Sequence, residues 1–285
     1  MPVTHAISVD FEDWYQSTFD PHAELSDRFQ RSTEKVLDAF EARGVKATFF
    51  VLGLAAEKAP QTVKLVADAG HEIQSHGYGH LEVFKADEES FRQDLLRAKG
   101  LIEDLIGQEV FGYRAPSFSI DERTPWAHDV LAETHHRYSS SIFPIKMARY
   151  GVDGYPPEPR IVETPGGRRI VEAPIACFDW LGKRRPVGGG GYIRLLPYGI
   201  LRAAFRQLDR LGRPGVVYMH PYEFDPSEVA AYKGKVSLKM RLHQGLGRKG
   251  FPRKVDSLLR DFRFGPLREV LGDLLMALDG ADAGR

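Results

Sequence analysis

The sequence predicts an α/β fold, a distorted (β/α) barrel of about seven strands with a helical C-terminal appendage. Short segments rich in Val, Ile and Phe alternate with amphipathic segments over most of residues 1–225, as expected for parallel strands joined by helices. The chain has 285 residues, 42% of them hydrophobic, which is enough to fill one barrel core. We therefore predict one domain over residues 1–285, in which an insertion at 147–199 interrupts the barrel and an extension at 226–285 follows it.

The first βαβ unit is visible in the N-terminal residues. Residues 5–11 alternate between apolar and polar side chains and predict a strand that ends in a group of acids. Ser32 or Thr33 is expected to cap the next helix and Gly44 to end it. Residues 47–52 then predict a second buried strand.

The same alternation continues to residue 220. Further helices are predicted at residues 60–70, 88–106, 125–133 and 200–211, and further strands at residues 71–75, 110–114, 137–141 and 215–220. The insertion is rich in Pro and Gly, with a hairpin-like turn at residues 166–167. The helical appendage is predicted from two segments with helical spacing, residues 255–262 and 267–278.

Composition excludes several classes of function and partner. Thirty-nine basic residues balance thirty-nine acidic ones, so no global positive field favours nucleic acid. A single cysteine, Cys177, excludes an internal disulfide and a Cys-based zinc site. No stretch of about 20 apolar residues and no signal-peptide pattern is present, so we expect no transmembrane segment and a cytoplasmic location, with association with the inner membrane face as an alternative.

One local exception to the charge balance lies near the C-terminal end. Eight basic residues follow one another there: Lys233, Lys235, Lys239, Arg241, Arg248, Lys249, Arg253 and Lys254. We expect a solvated surface segment, with binding of an anionic substrate or a phosphate lipid as the alternative.

Two histidines four residues apart, His76 and His80, follow the third predicted strand. On a helical turn, residues i and i+4 project to one side, so both imidazoles could bind one ion such as zinc. Such a pair also arises by chance on exposed turns, and a nearby carboxylate would decide between the two interpretations.

Acidic residues at the end of the first strand could supply that carboxylate. Asp10, Glu12 and Asp13 lie there, and the two-residue period of a strand places Asp10 and Glu12 on the same face. One of these acids could bind a metal while another acts as a base. The alternative is an ordinary polar strand end.

Two further polar residues end predicted strands. Arg114 precedes the rigid turn at Pro116 and could hold a carboxylate in bidentate geometry, while a surface arginine is the alternative. His220 follows a buried strand and could be catalytic or structural. Because active sites of parallel barrels collect at the carboxyl ends of the strands, these elements together predict amide hydrolysis by a Lewis acid, a base and an acid.

These motifs resemble those of the polysaccharide deacetylase family with the NodB homology domain, whose fold is a distorted β/α barrel. The resemblance implies that Asp10 is the general base, that Arg114 orients it and that His220 is the general acid. It also implies that Glu12 or Asp13 binds the metal together with His76 and His80. The sequence departs from the family pattern at Phe11, Gly77, Tyr218 and Ser139, and Ser139 replaces an aspartate of the fourth motif.

Over nearly its whole length, the chain also resembles one subgroup of this family, which is found with exopolysaccharide and exosortase gene clusters. The similar segments are residues 186–192, 220–223 and 261–264. The expected substrate-binding residues are Tyr113, Pro116, Phe118 and Tyr192, and a backbone N–H near Phe118 or Tyr113 is expected to help stabilise the oxyanion. The glycine run at 188–191 could be a flexible loop or a backbone that faces the substrate.

The resemblance implies a metal-dependent N-deacetylase that acts on an N-acetylated sugar or a polysaccharide precursor. One divalent ion is expected, with Zn²⁺ favoured and Co²⁺, Mn²⁺ or Ni²⁺ as alternatives. Two other functions stay open: hydrolysis of another linear or cyclic amide, as in an allantoinase-like enzyme, and saccharide binding without catalysis.

Overall fold

The computed structural model describes residues 2–282; residue 1 and residues 283–285, at the two ends of the predicted domain, lie outside the described residues. The strands are β1 (Thr4–Phe11), β2 (Thr48–Val51), β3 (Glu72–Ser75), β4 (Gly112–Tyr113), β5 (Tyr138–Ser139), β6 (Arg160–Glu163), β7 (Arg169–Glu172), β8 (Cys177–Trp180), β9 (Lys183–Pro186), β10 (Val216–Met219) and β11 (Arg263–Gly265). The helices are α1 (Trp14–Thr18), α2 (Arg28–Glu41), α3 (Gly53–Lys58), α4 (Pro60–Asp68), α5 (Glu88–Ile106), α6 (Ala127–Glu133), α7 (Gly190–Leu195), α8 (Tyr198–Arg210), α9 (Glu228–Ala231), α10 (Leu238–Gly245), α11 (Phe251–Asp261), α12 (Leu267–Val270) and α13 (Gly272–Asp282).

The main sheet has the strand order β10-β1-β2-β3-β4-β5-β7-β6. Its strands are parallel except for β6, which pairs antiparallel with β7. A parallel bridge between Ile175, just after β7, and Val216 in β10 joins the two ends of the parallel part. The predicted distorted barrel is therefore confirmed as a curled half-barrel sheet surrounded by helices.

Strand β1 lies at the centre of this architecture. Every residue from His5 to Phe11 is buried, as expected for a parallel strand covered on both faces. Ile7 and Val9 belong to the largest hydrophobic cluster, together with Val36 and Phe40 of α2. Each such side chain contributes about 1.5–3 kcal/mol on full burial, so the strand that carries Asp10 is rigidly held.

The segment predicted as an insertion contributes to the main sheet. The β6–β7 hairpin turns at Gly167, whose φ of 76° is left-handed, and β7 pairs in parallel with β5. Strands β8 and β9 form a separate two-stranded sheet. In the C-terminal extension, β11 pairs with residues 4–6 of β1, so both segments are part of the barrel architecture and are not peripheral to it.

The ends of a helix match the prediction where the capping residues are adjacent to the helix in the sequence. Helix α5 covers the predicted range; Asp87 caps its first turn by accepting a hydrogen bond from the Ser90 N–H, and Gly107 ends it with a φ of 65°. The prediction that Ser32 or Thr33 caps α2 was wrong, because the helix begins at Arg28 and the Thr33 hydroxyl donates to the Phe29 carbonyl inside it. Among the described helices, none combines the length and the apolar character that a membrane span needs.

Candidate metal centre and catalytic cleft

A cleft of about 850 Å³ opens at the carboxyl ends of the parallel strands. Its lining includes Asp10 near the end of β1, Glu12 directly after β1, His76 and His80 after β3, and His220 after β10. The carboxyl ends of parallel strands meet at one edge of the sheet, so residues distant in the sequence come together. The structure thus brings Asp10, Glu12 and the three predicted histidines into one cavity.

Glu12, His76 and His80 form a group that could hold a metal ion. The Glu12 Oε2 lies 3.1 Å from His80 Nε2 and 3.5 Å from His76 Nε2, and one ligand atom of each residue lies within 4.8 Å of the others. The Glu12 Oε2 is buried and accepts no hydrogen bond among the described residues. A buried carboxylate oxygen without a donor is costly, and a cation between these three groups would satisfy it.

The protonation of His76 also fits metal binding. Its Nδ1–H donates to the Arg114 carbonyl at 2.8 Å, because a carbonyl oxygen can only accept. The lone pair of Nε2 is therefore free to face Glu12. One carboxylate oxygen and two imidazole nitrogens match a catalytic zinc site with three protein ligands and an open position.

The groups around Glu12 keep its side chain ionised. Burial acts to raise the pKa of Glu12, but the imidazoles of His80 and His76 outweigh burial and hold the pKa well below its ordinary value. The Glu12 side chain is therefore a carboxylate at neutral pH, as a metal ligand must be.

The loop that carries the histidines is irregular, so the predicted helical turn over residues 76–80 was wrong. Gly77 and His80 have left-handed φ values of 77° and 63°. Asp94 of α5 accepts hydrogen bonds from the Tyr78 and Gly79 amides at 2.9 and 3.4 Å. A Cβ at Gly77 would lie 2.6 Å from the Asp94 carboxylate, so glycine permits this approach. A left-handed histidine costs about 1–3 kcal/mol and is typical of functional sites.

Asp13, the alternative metal ligand, lies in a different environment. Its Oδ1 accepts hydrogen bonds from the Tyr15 and Gln16 amides at 2.9 and 3.0 Å, and its Oδ2 accepts from the Ser26 amide and hydroxyl at 3.1 and 2.5 Å. Asp13 therefore caps α1 and holds the following loop. The group around the two histidines contains Glu12 and not Asp13.

Arg114 and Asp10 form a buried ion pair. The Arg114 Nη1 donates to Asp10 Oδ1 and to the Ser8 hydroxyl, both at 2.7 Å. Its Nε and Nη2 donate to the carbonyl and hydroxyl of Ser140 at 3.0 and 2.9 Å, and the guanidinium lies 4.2 Å from the centre of the Phe50 ring. With these partners Arg114 fixes Asp10 in place, and the alternative of a surface arginine does not hold because Arg114 is fully buried.

His220 lies opposite the metal ligands. Its Nε2 is 3.5 Å from Glu12 Oε1 and 4.0 Å from Asp10 Oδ2, and its ring stacks on Tyr222 at 4.6 Å. Burial acts to lower the pKa of His220, but the carboxylates of Glu223, Glu12 and Asp10 outweigh it and raise the pKa above its usual value. These contacts favour a protonated imidazole that faces the cleft.

Glu223 lies beside His220, and no role in the site was predicted for this acid from the sequence. Its Oε2 lies 3.4 Å from His220 Nδ1 and accepts a hydrogen bond from the His220 amide at 3.1 Å. A Cβ at Gly190 would lie 1.8 Å from the same oxygen, so the glycine run lets α7 approach Glu223. Ser139, the departure in the fourth motif, is buried on β5 and donates to the Ser141 hydroxyl at 2.8 Å. The carboxylate beside the His220 ring nitrogen therefore comes from position 223.

The expected substrate-binding residues are only partly brought to the cleft. Phe118 lines it, next to the left-handed Ser117. The Tyr113 ring instead packs against Phe91 and His136, 5.6 and 5.9 Å away, and the half-buried Tyr192 lies 6.2 Å from the Phe143 ring.

Pro116 is buried and begins the turn that presents Phe118. The Phe118 amide donates to the Ala115 carbonyl at 3.1 Å, so it has no free N–H for an oxyanion. Tyr78, Tyr150 and Tyr218 line the cleft as well; their sequence positions carry no pattern that predicts this.

Sequence comparison finds two regions that match known families. Residues 9–138 match the model described as polysaccharide deacetylase, and residues 140–272 match one described as a domain of unknown function, DUF3473. The peptidoglycan-N-acetylglucosamine deacetylase of Bacillus cereus is 36% identical over 96 residues, which cover 33% of this chain and 35% of that protein. The chitooligosaccharide deacetylase of Bradyrhizobium sp. is 26% identical over 146 residues, which cover 51% of this chain and 59% of that protein. The matched segments span less than two thirds of either relative.

A solved structure extends the likeness in fold to the whole chain. A crystal structure from Mycobacterium smegmatis, assigned to the polysaccharide deacetylases, has a TM-score of 0.58 and 20% sequence identity, and the match covers 99% of this chain and 94% of that one. The fold likeness and the match at residues 9–138 agree with the motifs that the sequence presents. In residues 9–138 the chain carries a region that belongs to the polysaccharide deacetylase family.

Proposed function

We propose that this protein is a metal-dependent N-deacetylase that releases acetate from an N-acetylated sugar. The observation that carries the proposal is the position of Asp10 and His220 beside the Glu12–His76–His80 group. The relatives from Bacillus cereus and Bradyrhizobium are named as deacetylases of peptidoglycan N-acetylglucosamine and of chitooligosaccharide, which supports this substrate class. The resemblance to the subgroup associated with exopolysaccharide clusters favours a polysaccharide precursor.

Glu12, His76 and His80 are the proposed metal ligands. When bound, a divalent ion, with Zn²⁺ favoured by the donor set, supplies a Lewis acid that polarises a carbonyl and lowers the pKa of water. The four hydrogen bonds on the Asp13 carboxylate support Glu12 over Asp13 as the carboxylate ligand.

Asp10 is the proposed general base. Its Oδ1 is bound to Arg114, while its Oδ2 faces His220 across 4.0 Å. A carboxylate anchored through one oxygen keeps the other available to remove a proton from the attacking water. Arg114 touches neither substrate nor water in this scheme and acts as a positioning residue.

His220 is the proposed general acid. As the carbon–oxygen bond forms and the carbon–nitrogen bond breaks, its Nε2–H donates a proton to the leaving amine. Glu223 beside Nδ1 orients the ring and stabilises its protonated form. The products are acetate and a free amino sugar.

The cleft suits a saccharide. Aromatic side chains of Tyr78, Phe118, Tyr150 and Tyr218 line it together with many polar and charged side chains. Aromatic surface beside abundant hydrogen-bonding groups suits the hydroxyls and apolar ring faces of a sugar. Strands from both matched regions share one sheet, which supports the expectation of a single domain. The cytoplasmic location stays a prediction.

The decisive experiment measures acetate release from N-acetylglucosamine oligomers and, in parallel, turnover of a cyclic ureide. Acetate release that requires about one equivalent of zinc per chain is the expected result. Ureide turnover without acetate release would instead indicate the alternative amide hydrolase, and metal binding without either activity would indicate a silent saccharide-binding protein.

Two variants test the roles of the site residues. Asp10→Asn is expected to keep the metal and to lose roughly 10²- to 10⁴-fold in activity, whereas His76→Ala is expected to lose the metal. The exposed His22 provides a matched control, since His22→Ala should change neither property. Full turnover by Asp10→Asn would remove Asp10 from its proposed role.

A further inference from the structure

A basic segment, residues 229–255, stands apart from the rest of the surface in charge. It contains the eight Lys and Arg residues between 233 and 254 and no Asp or Glu. The remainder of the chain has 31 basic residues and 39 acidic ones. A neutral protein that concentrates positive charge in one short segment presents a local field to anionic surfaces.

The same segment exposes large apolar side chains. Leu238, Leu242 and Leu246 are 62%, 66% and 63% exposed, and no residue of α10 is buried. Leu238 and Leu242, four residues apart, lie along one side of α10, and Leu246 follows directly after its last residue. A helix within a folded domain normally buries such a stripe, and nothing in the described part of the chain covers this one.

The positive charges of the segment are largely available to a partner. Arg248 and Lys254 are used internally: Arg248 is buried, and the Lys254 Nζ donates to the carbonyls of Ile193, Arg194 and Leu196. No carboxylate lies within ion-pair distance of the other six in the described structure. Those six are Lys233, Lys235, Lys239, Arg241, Lys249 and Arg253.

We propose that the basic segment docks the protein on the surface of an anionic lipid bilayer. Exposed leucines on a helix can enter the boundary between headgroups and acyl chains, and lysines around them pair with anionic headgroups. Charge complementarity alone would fit nucleic acid equally well, but phosphate contacts need no apolar stripe. The proposal does not depend on the deacetylase activity.

Internal hydrogen bonds tie this surface to the cleft. The Arg248 Nη1 donates to the Tyr222 carbonyl at 2.7 Å and its Nε to the Gln244 carbonyl at 2.8 Å. Arg194, which lies 3.9 Å from Glu223, donates to the carbonyls of His243 and Gln244. Because Tyr222 lines the cleft beside His220, docking would hold the active site near the bilayer, where a lipid-linked saccharide would be within reach.

Co-sedimentation of the full chain with vesicles tests the proposal. The chain is expected to bind vesicles of phosphatidylcholine with 30% phosphatidylglycerol in 50 mM salt and to be released in 500 mM salt, because ions screen the headgroup charge. Pure phosphatidylcholine vesicles should retain at least tenfold less protein. Equal binding to both vesicles, or binding to neither, would overturn the proposal, as would binding to a single-stranded polynucleotide alone.

A matched pair of variants locates the surface. Lys239→Gln/Leu242→Ser removes one charge and one leucine from the basic segment, and Lys64→Gln/Leu65→Ser makes the same changes on α4, where Leu65 is 49% exposed. The first variant is expected to bind at least tenfold more weakly and the second to bind like the unmodified chain. Equal losses in the two variants would show that the basic segment is not the docking surface.

Discussion

Removal of Arg114 is expected to destabilise the protein chiefly through Asp10. In Arg114→Met the Asp10 carboxylate stays buried and loses the donor that lies 2.7 Å from its Oδ1. Two unit charges about 4 Å apart attract each other by about 4 kcal/mol at an effective dielectric constant near 20. Breaking a buried pair from one side costs about 3–5 kcal/mol. We therefore expect the free energy of unfolding to fall by about 3–5 kcal/mol, a large part of the 5–15 kcal/mol typical of a domain.

A double-mutant cycle separates this effect from lost packing. Urea unfolding of the metal-free protein at pH 7 is compared for the unmodified chain, Arg114→Met, Asp10→Asn and the double variant. In the Asp10→Asn background, Arg114→Met leaves no buried carboxylate behind and removes a guanidinium that has already lost its charged partner, so it should cost about 2 kcal/mol less. The remaining cost reflects the lost hydrogen bonds to Ser8 and Ser140. An equal cost in both backgrounds would refute the coupling of Arg114 to Asp10.

Three more predictions follow from named contacts. Glu223→Gln is expected to lower kcat by roughly 10- to 100-fold with little change in KM, since Glu223 contacts His220 and not the cleft; a change in KM alone, measured by acetate release, would contradict this role. Asp94→Ala should weaken zinc binding by roughly 10- to 100-fold, because Asp94 holds the loop of His76 and His80. Zinc titration checks this, with the exposed Asp104→Ala on the same helix as control. Burial lowers the pKa of His136 to about 3 in the folded chain, whereas the ordinary pKa of histidine, about 6.5, applies in the unfolded chain. Between these two pH values only the unfolded chain binds a proton at His136. This residue should therefore cost about 2 kcal/mol of stability as the pH falls from 7 to 5, and His136→Phe should remove that loss in urea unfolding of metal-free protein.

The parts of the site that follow from strand geometry could be predicted from the sequence. Asp10, Arg114 and His220 end, or directly follow, strands that are parallel. A period of two residues places Asp10 and Glu12 on one face, and both reach His220. Convergence at one edge of a parallel sheet is a consequence of topology, and a pattern of alternating elements is enough to predict it.

The parts that depend on contacts between distant loops could not be predicted in this way. The conformation of residues 76–80 is set by Asp94, which reaches the loop from α5. Asp13 and Glu12 are adjacent in the sequence, and only the fold shows that Ser26 and the α1 amides take up the Asp13 carboxylate. Sequence spacing could not rank these two neighbouring acids, because Ser26, thirteen residues after Asp13, and the histidines at 76 and 80 take part in deciding their roles.

The proposed catalytic arrangement spans both matched regions of the chain. The proposed base and metal ligands lie within residues 9–138, whereas His220 and its partner Glu223 lie within residues 140–272. Ser140 accepts two hydrogen bonds from Arg114, and β10, which ends next to His220, pairs with β1, which carries Asp10. Neither region holds both the base and the acid. The region described as a domain of unknown function therefore completes the cleft, and the proposed reaction requires the two regions to fold as one sheet.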